Sequence, residues 1–510
     1  MYLNRRLGIS MLQSKKLQMD ALFHPKNVTI LGASKNIMKW GTIILANIMS
    51  GGYKGQLYPI SLTQSHILGI KAYPSIHDLP EPPDMVFICL PAENTPGFVE
   101  ECGKAKANTV VAIAGGFSEA GAEGARLEEE IRSIVKKYPM NVVGPNTMGV
   151  CNPHISLYAL MPTVTPRKGA IAFVSQSGNL GTQLMGLGEK EHVGFSKFVS
   201  SGNEIVLRLE DYVEYFGEDP ETKVILCYIE NIKDSKKFMR VTSQVSRKKP
   251  IIVFKSGKSE AGSRAAQSHT GALAGSYELY RAMFKQCGII EAENTIEMLD
   301  FANAFSRLPP LKGDRIGIIS WGGGWGVITV DKLINAGLKV PPLPKEIVQK
   351  IDEYLPPFWS KNNPIDLVGS LDRKGHLKSL EYLYESGMDG IIVLGIIIGG
   401  AFNPEKYDIL SVALKDQFNP QDIKAFKDEF DNMDLQFLKR IKKLMDRYQK
   451  PIIIVSLMQS EKILEQELVI YSMPEQATQA MKKLYEYYHY RSKFETKEEK
   501  SQNISKEQKL

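Results

Sequence analysis

The chain has 510 residues, of which 43% are hydrophobic and 24% charged, and a formal net charge of +6. At about 100–200 residues per domain this is room for roughly three globular domains, and the composition excludes a wholly disordered chain. The mild positive balance is not the concentrated basic stripe of a nucleic-acid-binding protein, so no nucleic-acid partner is expected.

Residues 1–19 read as an N-terminal extension. Arg5, Arg6, Lys15 and Lys16 without an acid also suit a transit peptide, although no apolar signal-peptide core is present. Over residues 20–160, short apolar runs at 28–31, 85–90, 109–114 and 141–143 close on Gly32-Ala33-Ser34, Pro91, Gly115-Gly116 and Gly144-Pro145-Asn146. Such runs are the mark of parallel strands buried on both faces. A charged helical segment at 119–138 separates two of them. This block reads as a doubly wound α/β domain that binds its ligand at the carboxyl ends of the strands.

A second α/β block, 165–307, carries strands at 170–174, 223–229 and 250–254. A third, 312–490, follows the break Pro309-Pro310-Leu311-Lys312-Gly313. Its first strand, 316–320, runs into Trp321-Gly322-Gly323-Gly324-Trp325-Gly326, and later strands fall at 390–398 and 451–455. The most apolar run, 390–402, is shorter than the ~20 residues of a spanning helix, so no membrane association is expected. Over 421–450, Ile423, Phe426, Phe430, Met433, Phe437, Ile441, Leu444 and Tyr448 recur three or four apart. That spacing predicts an amphipathic helix or helix pair whose apolar face suits a core or, less commonly, a partner. Residues 491–510 are nearly all polar and read as a disordered tail. Five cysteines, Cys89, Cys102, Cys151, Cys227 and Cys287, form no CxxC pair. They argue against a disulfide framework or a thiolate zinc site and suit a reducing, cytoplasmic compartment.

Two nucleotide signatures are absent. Gly257-Lys258-Ser259 has the ending of a P-loop, but Ile252 stands where its first glycine belongs. No GxGxxG follows the first strand either. Gly32-Ala33-Ser34 and Ser175-Gln176-Ser177-Gly178 instead offer small residues where a strand turns toward a helix, a place that attracts anions. Trp321–Gly326 reads equally as a third such loop or as a turn packed under two tryptophans. His269 lies among small residues in Ser268-His269-Thr270-Gly271-Ala272-Leu273-Ala274-Gly275. A neutral imidazole is a competent nucleophile toward phosphorus, and Glu230, after the strand 224–229, is placed to steady it. From the chemistry alone the histidine reads equally as a phosphoryl carrier or a structural residue.

Taken together these residues resemble the alpha subunit of the NDP-forming acyl-CoA synthetases, typified by ADP-forming acetate–CoA ligase, in the succinyl-CoA synthetase superfamily. The resemblance rests on Phe23-His24-Pro25-Lys26-Asn27-Val28, Ala114-Gly115-Gly116-Phe117-Ser118-Glu119, Ser201-Gly202-Asn203, Glu218-Asp219-Pro220-Glu221-Thr222-Lys223, Tyr228-Ile229-Glu230 and the His269 loop. Asn363-Pro364-Ile365-Asp366-Leu367 and Met473-Pro474-Glu475 extend it to the third block. It implies a Rossmann-like CoA-binding domain followed by two flavodoxin-like ligase domains. It also implies a ligase that exchanges acyl-CoA, phosphate and ADP for a small carboxylic acid such as acetate, coenzyme A and ATP, in either direction. His269 would carry the phosphoryl group and Glu230 would stabilise it. Ser177, Gly178, Ser268 and Gly271 would hold phosphate, and Gly32, Ala33, Ser34, Gly115 and Asn146 would line the CoA site. No ATP-grasp region follows in the sequence. The resemblance therefore places ADP/ATP and Mg2+ on a separate ATP-grasp beta subunit, making this chain part of a hetero-oligomer. Thr147 stands where the family commonly has Cys, and Trp321 and Trp325 where many members have smaller residues. The competing reading is a CoA- or acyl-CoA-binding regulatory protein without turnover. A more distant one is an acyltransferase that uses the CoA site without phosphoryl chemistry.

Overall fold

In this computed structural model the described residues are 18–262, 264, 276–370, 372–395, 420–457 and 465–507. They form two compact units that divide between Ala302 and Asn303.

The first unit holds two sheets. β1 (Asn27–Leu31), β2 (Gln56–Ile60), a small antiparallel pair β3 (His66–Ile67) and β4 (Ile70–Lys71), β5 (Met85–Ile88), β6 (Thr109–Ala112) and β7 (Asn141–Val143) come first. The parallel sheet has the order β2-β1-β5-β6-β7, with α1 (Trp40–Gly51), α2 (Thr95–Lys104) and α3 (Ala122–Lys137) in its connections. Every residue of β1, β5, β6 and β7 is buried, as expected where helices cover both faces. The strand order reverses between β1 and β5, so the crevice for a ligand opens there.

The second sheet contains β8 (Gly149–Asn152), β9 (Leu157–Leu160), β10 (Lys168–Ser175), β11 (Phe195–Ser200), β12 (Val224–Ile229), β13 (Ile251–Lys255) and β14 (Ile290–Glu291). Its order is β14-β13-β12-β10-β11-β8-β9, and α4 (Gly178–Lys190), α5 (Leu209–Glu218), α6 (Ser235–Val245) and α7 (Tyr277–Cys287) follow its strands. The edge strands β8 and β9 are antiparallel: Phe198 pairs with Cys151, and Cys151 with Tyr158. They lie in the stretch that composition groups with the first block, yet their hydrogen bonds join the second sheet. A buried apolar run marks a strand but does not say which distant edge it will pair with.

Side chains tie the two sheets into one body. Asn47 on α1 donates to the Leu160 carbonyl at 2.8 Å, and Asn152 donates to the Phe23 carbonyl at 2.8 Å. The Phe23 ring lies 5.3 Å from both Tyr215 and Phe216 on α5. The opening Phe23-His24-Pro25 motif is thus a docking element. A second motif is also structural. Lys197 is fully buried, and its ammonium donates to Asp219 at 2.7 Å and Glu221 at 2.8 Å. Thr222 on the same loop bonds Ser196 at 2.8 Å. Burial alone would raise the Asp219 carboxyl, but the Lys197 and Thr222 bonds hold it below its ordinary value.

The second unit is built on a parallel sheet of β15 (Ile316–Ser320), β16 (Ile365–Asp366), β17 (Gly390–Leu394), β18 (Ile452–Val455) and β19 (Val469–Tyr471), in the order β16-β15-β17-β18-β19. After α8 (Thr295–Arg307), its helices are α9 (Gly323–Asn335), α10 (Lys345–Asp352), α11 (Arg373–Glu385), α12 (Pro420–Tyr448) and α13 (Pro474–Glu507). The 421–450 pattern is one helix. Phe437 and Ile441 enter the core together with Leu438 and Met445, Leu444 and Tyr448 pack against it, and Met433 is 42% exposed. The segment from Arg491, which composition reads as a disordered tail, instead continues α13 as far as Glu507. Lys, Glu and Gln are good helix formers, so a polar run can extend a helix already begun by a packed segment.

Removing one partner of a buried ion pair leaves an uncompensated charge, at a cost of about 3–5 kcal/mol. Lys197→Met, which leaves the buried Asp219 carboxylate without its ion partner, is therefore expected to lower unfolding stability by about that amount, read from the urea midpoint at unchanged slope.

Candidate active site at the carboxyl edges of two sheets

At the exit of β1, Gly32 has φ +93° and passes so close to β5 that an added Cβ would lie 2.4 Å from the Cys89 carbonyl oxygen. The helix does not begin at once, however. Ser34 N–H donates to Thr42 Oγ1 at 3.0 Å, Thr42 donates back to the Ser34 carbonyl at 2.9 Å, and α1 starts only at Trp40. The strand-to-helix anion cradle expected at Gly32-Ala33-Ser34 is a closed turn, with the helix N-terminus one loop further on. Gly115 leaves β6 beside Asn146, whose Oδ1 lies 3.3 Å from where a Gly115 Cβ would sit, and both residues are exposed. The predicted CoA residues thus fall on one edge of the sheet. Its turns are small and closely approached, a shape that fits the backbone of a nucleotide-like anion.

Ser177 caps α4, accepting the Leu180 N–H at 3.4 Å, so Gly178 opens the helix with its unshared N–H groups at the exit of β10. Gly178 has no room for a side chain, because an added Cβ would lie 2.4 Å from Met148 Cγ and 2.7 Å from Ser200 Oγ. The second sheet reverses order between β10 and β12. Gln176 bridges that point: its Oε1 accepts the N–H of Glu230 at 2.7 Å and of Asn231 at 2.9 Å, and its Nε2 donates to the Asn231 carbonyl at 2.8 Å. Ser177, Gly178 and Glu230 are therefore brought together. His269, Ser268 and Gly271 lie outside the described residues.

The two edges meet through the loops after β7 and β11. Gly202 (φ +59°) passes so near that an added Cβ would lie 2.2 Å from the Pro145 carbonyl oxygen. Asn203 N–H donates to Pro145 at 2.9 Å, and its side chain donates to Glu119 at 2.5 Å and Glu128 at 2.9 Å. Burial opposes ionisation of Glu119, yet the Asn203 bond and the N–H groups of Gly116 and Phe117 hold its carboxyl below the ordinary value. Thr147 is buried, and its hydroxyl donates to the Ser200 carbonyl at 2.5 Å and accepts the Gly149 N–H at 3.1 Å. It stitches these loops together. In the second unit the glycine stretch turns at Gly322 into α9; Trp321 Nε1 donates to the Ser370 carbonyl at 2.9 Å and its ring packs against the core, whereas Trp325 is 36% exposed.

Three residues of this region carry no recognised motif chemistry. Glu204, next to Asn203, is 2% exposed and accepts the Ser201 hydroxyl at 2.7 Å. Burial pushes its carboxyl up to about 7, against the pull of Ser201, Gln176 and Lys233. Lys233 donates to the Asn203 carbonyl at 2.5 Å. Lys255 ends β13, 3% exposed. The only signal for any of them in the sequence is a charged residue beside a small-residue loop or at the end of an apolar strand.

Three family profiles match the chain: a CoA binding domain over 26–153, a succinyl-CoA ligase-like flavodoxin domain over 168–305, and a ligase-CoA domain over 316–388. The alpha subunit of ADP-forming acetate–CoA ligase II from Pyrococcus furiosus is 39% identical over 74% of this chain and 82% of its own length. The chain belongs to the ADP-forming acetate–CoA ligase family. A second member, acetate–CoA ligase [ADP-forming] I from Archaeoglobus fulgidus, is 41% identical over 72% of this chain, which spans only 53% of that relative's length. Among solved structures, the acetyl-coenzyme A synthetase 1 of Candidatus Korarchaeum cryptofilum, in complex with phosphate and ADP, superposes with a TM-score of 0.80 at 33% identity. That match covers 93% of this chain and 97% of the other. The α/β family fold read from the sequence is borne out, with three parallel sheets, one of them extended by an antiparallel hairpin. No helix among the described residues is long and apolar enough to cross a membrane.

A carboxyl raised from 4.5 to about 7 keeps its proton in the folded chain and loses it on unfolding across that window. Glu204 thus lowers stability as pH rises from about 4.5 through about 7. Glu204→Gln is expected to flatten this slope, gaining stability relative to wild type between pH 5 and pH 8 in denaturant titrations; parallel pH profiles would refute it.

Proposed function

We propose that this chain is the CoA-binding and phosphohistidine-bearing part of an ADP-forming acyl-CoA synthetase, acting on acetate or a similar small carboxylic acid. The observation that carries the reading is the junction made by Gln176. It places the Ser177-capped helix start and Glu230 together at the point where the second sheet reverses order.

Phosphate held at the Gly178 helix start attacks the thioester carbonyl. A C–O bond forms, the C–S bond breaks, and the CoA thiolate leaves. The acyl phosphate then meets His269: an N–P bond forms, the P–O bond to the acyl group breaks, and the carboxylate departs. A terminal oxygen of ADP next takes the phosphorus, breaking N–P and giving ATP. Through these steps the chain's own contribution is positioning. The helix N–H groups face the equatorial oxygens, where negative charge is spread in the transition state. Glu230, its backbone pinned by Gln176, stabilises the imidazole as positive charge develops on it. Gly32, Ala33, Ser34, Gly115 and Asn146 line the CoA site, while Ser268 and Gly271 join Ser177 and Gly178 around phosphate. ADP and Mg2+ belong to an ATP-grasp beta subunit, a reading supported by relatives named as alpha subunits. The assembly works in the cytoplasm. In domain terms, 20–160 binds CoA, 165–307 carries the phosphohistidine loop, and 312–490 is the third ligase domain.

The test is incubation of the chain and its partner with labelled orthophosphate, Mg2+ and a panel of acyl-CoAs. Acid-labile, base-stable label is expected on this chain with one thioester class, and none in His269→Ala. Glu230→Gln should lower labelling by about a hundredfold while leaving CoA affinity unchanged. CoA binding without any label would instead mark a regulatory binder.

A further inference from the structure

We propose that Lys255 is a positioning residue for the same site: a buried cation at the strand exit next to that of Glu230, which balances the charge of the arriving phosphate. The proposal rests on the reading of Glu230 and of the Ser177 helix start given above.

β12 and β13 run parallel in register, with Ile229 opposite Lys255, so Glu230 leaves its strand one residue beyond Lys255's partner. The Ser256 N–H donates to the Ile229 carbonyl at 3.0 Å, which fixes the two exits together. Lys255 is 3% exposed. Its ammonium donates to the Ser256 carbonyl at 2.5 Å and sits 4.7 Å above the Tyr280 ring of α7. An ammonium has three N–H donors and favours ionic or well-hydrated surroundings. Yet among the described residues no carboxylate comes within 4.0 Å of this one, although Lys258, three residues on, has Glu291 at 3.5 Å and Glu293 at 2.8 Å. A charge buried without its own ion pair is costly in a structural role. It is useful where an anion will arrive.

Among the described residues the titratable groups near Lys255 come from three sides. Glu230 and Tyr228 stand on the β12 side, Tyr280 on α7, and Lys258 with Glu291 and Glu293 beyond the exit of β13. Burial draws the Lys255 ammonium down to about 8, with the Glu230 charge pulling it back up. A phosphoryl dianion held nearby favours the charged ammonium and raises it again. Occupation of the site then takes up a proton. Lys255 ends the strand paired with the one whose end, Tyr228-Ile229-Glu230, carries the family resemblance, but neither that pattern nor the P-loop-like Gly257-Lys258-Ser259 accounts for it.

The experiment compares wild type, Lys255→Arg and Lys255→Met in the complete assembly, between about pH 7.5 and about pH 9.5. Phosphoenzyme formation from acetyl-CoA and labelled phosphate is followed alongside calorimetric binding of inorganic phosphate. Wild type is expected to lose both phosphate affinity and labelling rate above pH 8, and the arginine variant to hold both to higher pH. The methionine variant should label about tenfold to a hundredfold more slowly near neutrality, without the alkaline limb. If Lys255 only filled space, the methionine variant would change melting temperature and leave the pH profile intact, which would overturn the proposal. Rescue by arginine separates lost charge from misfolding. Phosphate affinity that follows Lys255 without any labelling would keep the charge role and refute the phosphohistidine reading. Equal phosphate affinity in all three proteins would refute the charge role alone.

Discussion

The loops that leave β7 and β11 press together backbone against backbone at Gly202, and the site in the first unit depends on that contact. Gly202 lets the second loop reach the Pro145 carbonyl, and Asn203 then bonds backward to Pro145 and sideways to Glu119 and Glu128. Two carboxylates meeting one amide would repel if the amide were removed. Glu119 in turn holds the N–H groups of Gly116 and Phe117 at 2.7 and 3.1 Å, which shapes the exit of β6. A contact between two sheets thus sets a turn at the exit of β6 and, through Met148 and Ser200, the start of α4.

From this join follows a division of labour between the two ends of the second sheet. The amino edge is closed by Lys197, Asp219 and Glu221, a satisfied buried ion cluster that stabilises and orients. The carboxyl edge holds Glu204 and Lys255, both buried and both shifted toward neutrality. Paired charges serve rigidity. Charges whose environments oppose ionisation are the ones that respond when a ligand brings an opposite charge.

Several elements were legible because their cause is local. The apolar runs 28–31, 85–88 and 224–229 are strands since a parallel sheet covered on both faces admits only such sequences. Ser175-Gln176-Ser177-Gly178 was legible as a strand-to-helix junction, because small polar residues between a strand and a helix have few other uses. The Gly32-Ala33-Ser34 turn was located correctly but misread in detail, since the Thr42 hydroxyl that closes it lies eight residues on. The 149–160 hairpin and the helical extension past Arg491 were misassigned for a similar reason. Strand pairing is non-local, and a polar helix borrows stability from the packed turns before it.

The sequence by itself determined the α/β class and its three blocks, because these follow from periodicity, and its motifs carried the resemblance to the family. Tertiary structure alone decided which charged residues are buried. Glu204 and Lys255 read in the sequence as ordinary solvated charges. Their shifted ionisation arises because burial excludes water from them, against the pull of Ser201 and Gln176 on Glu204 and of the Glu230 charge on Lys255. Desolvation is a property of packing, and no local pattern encodes it.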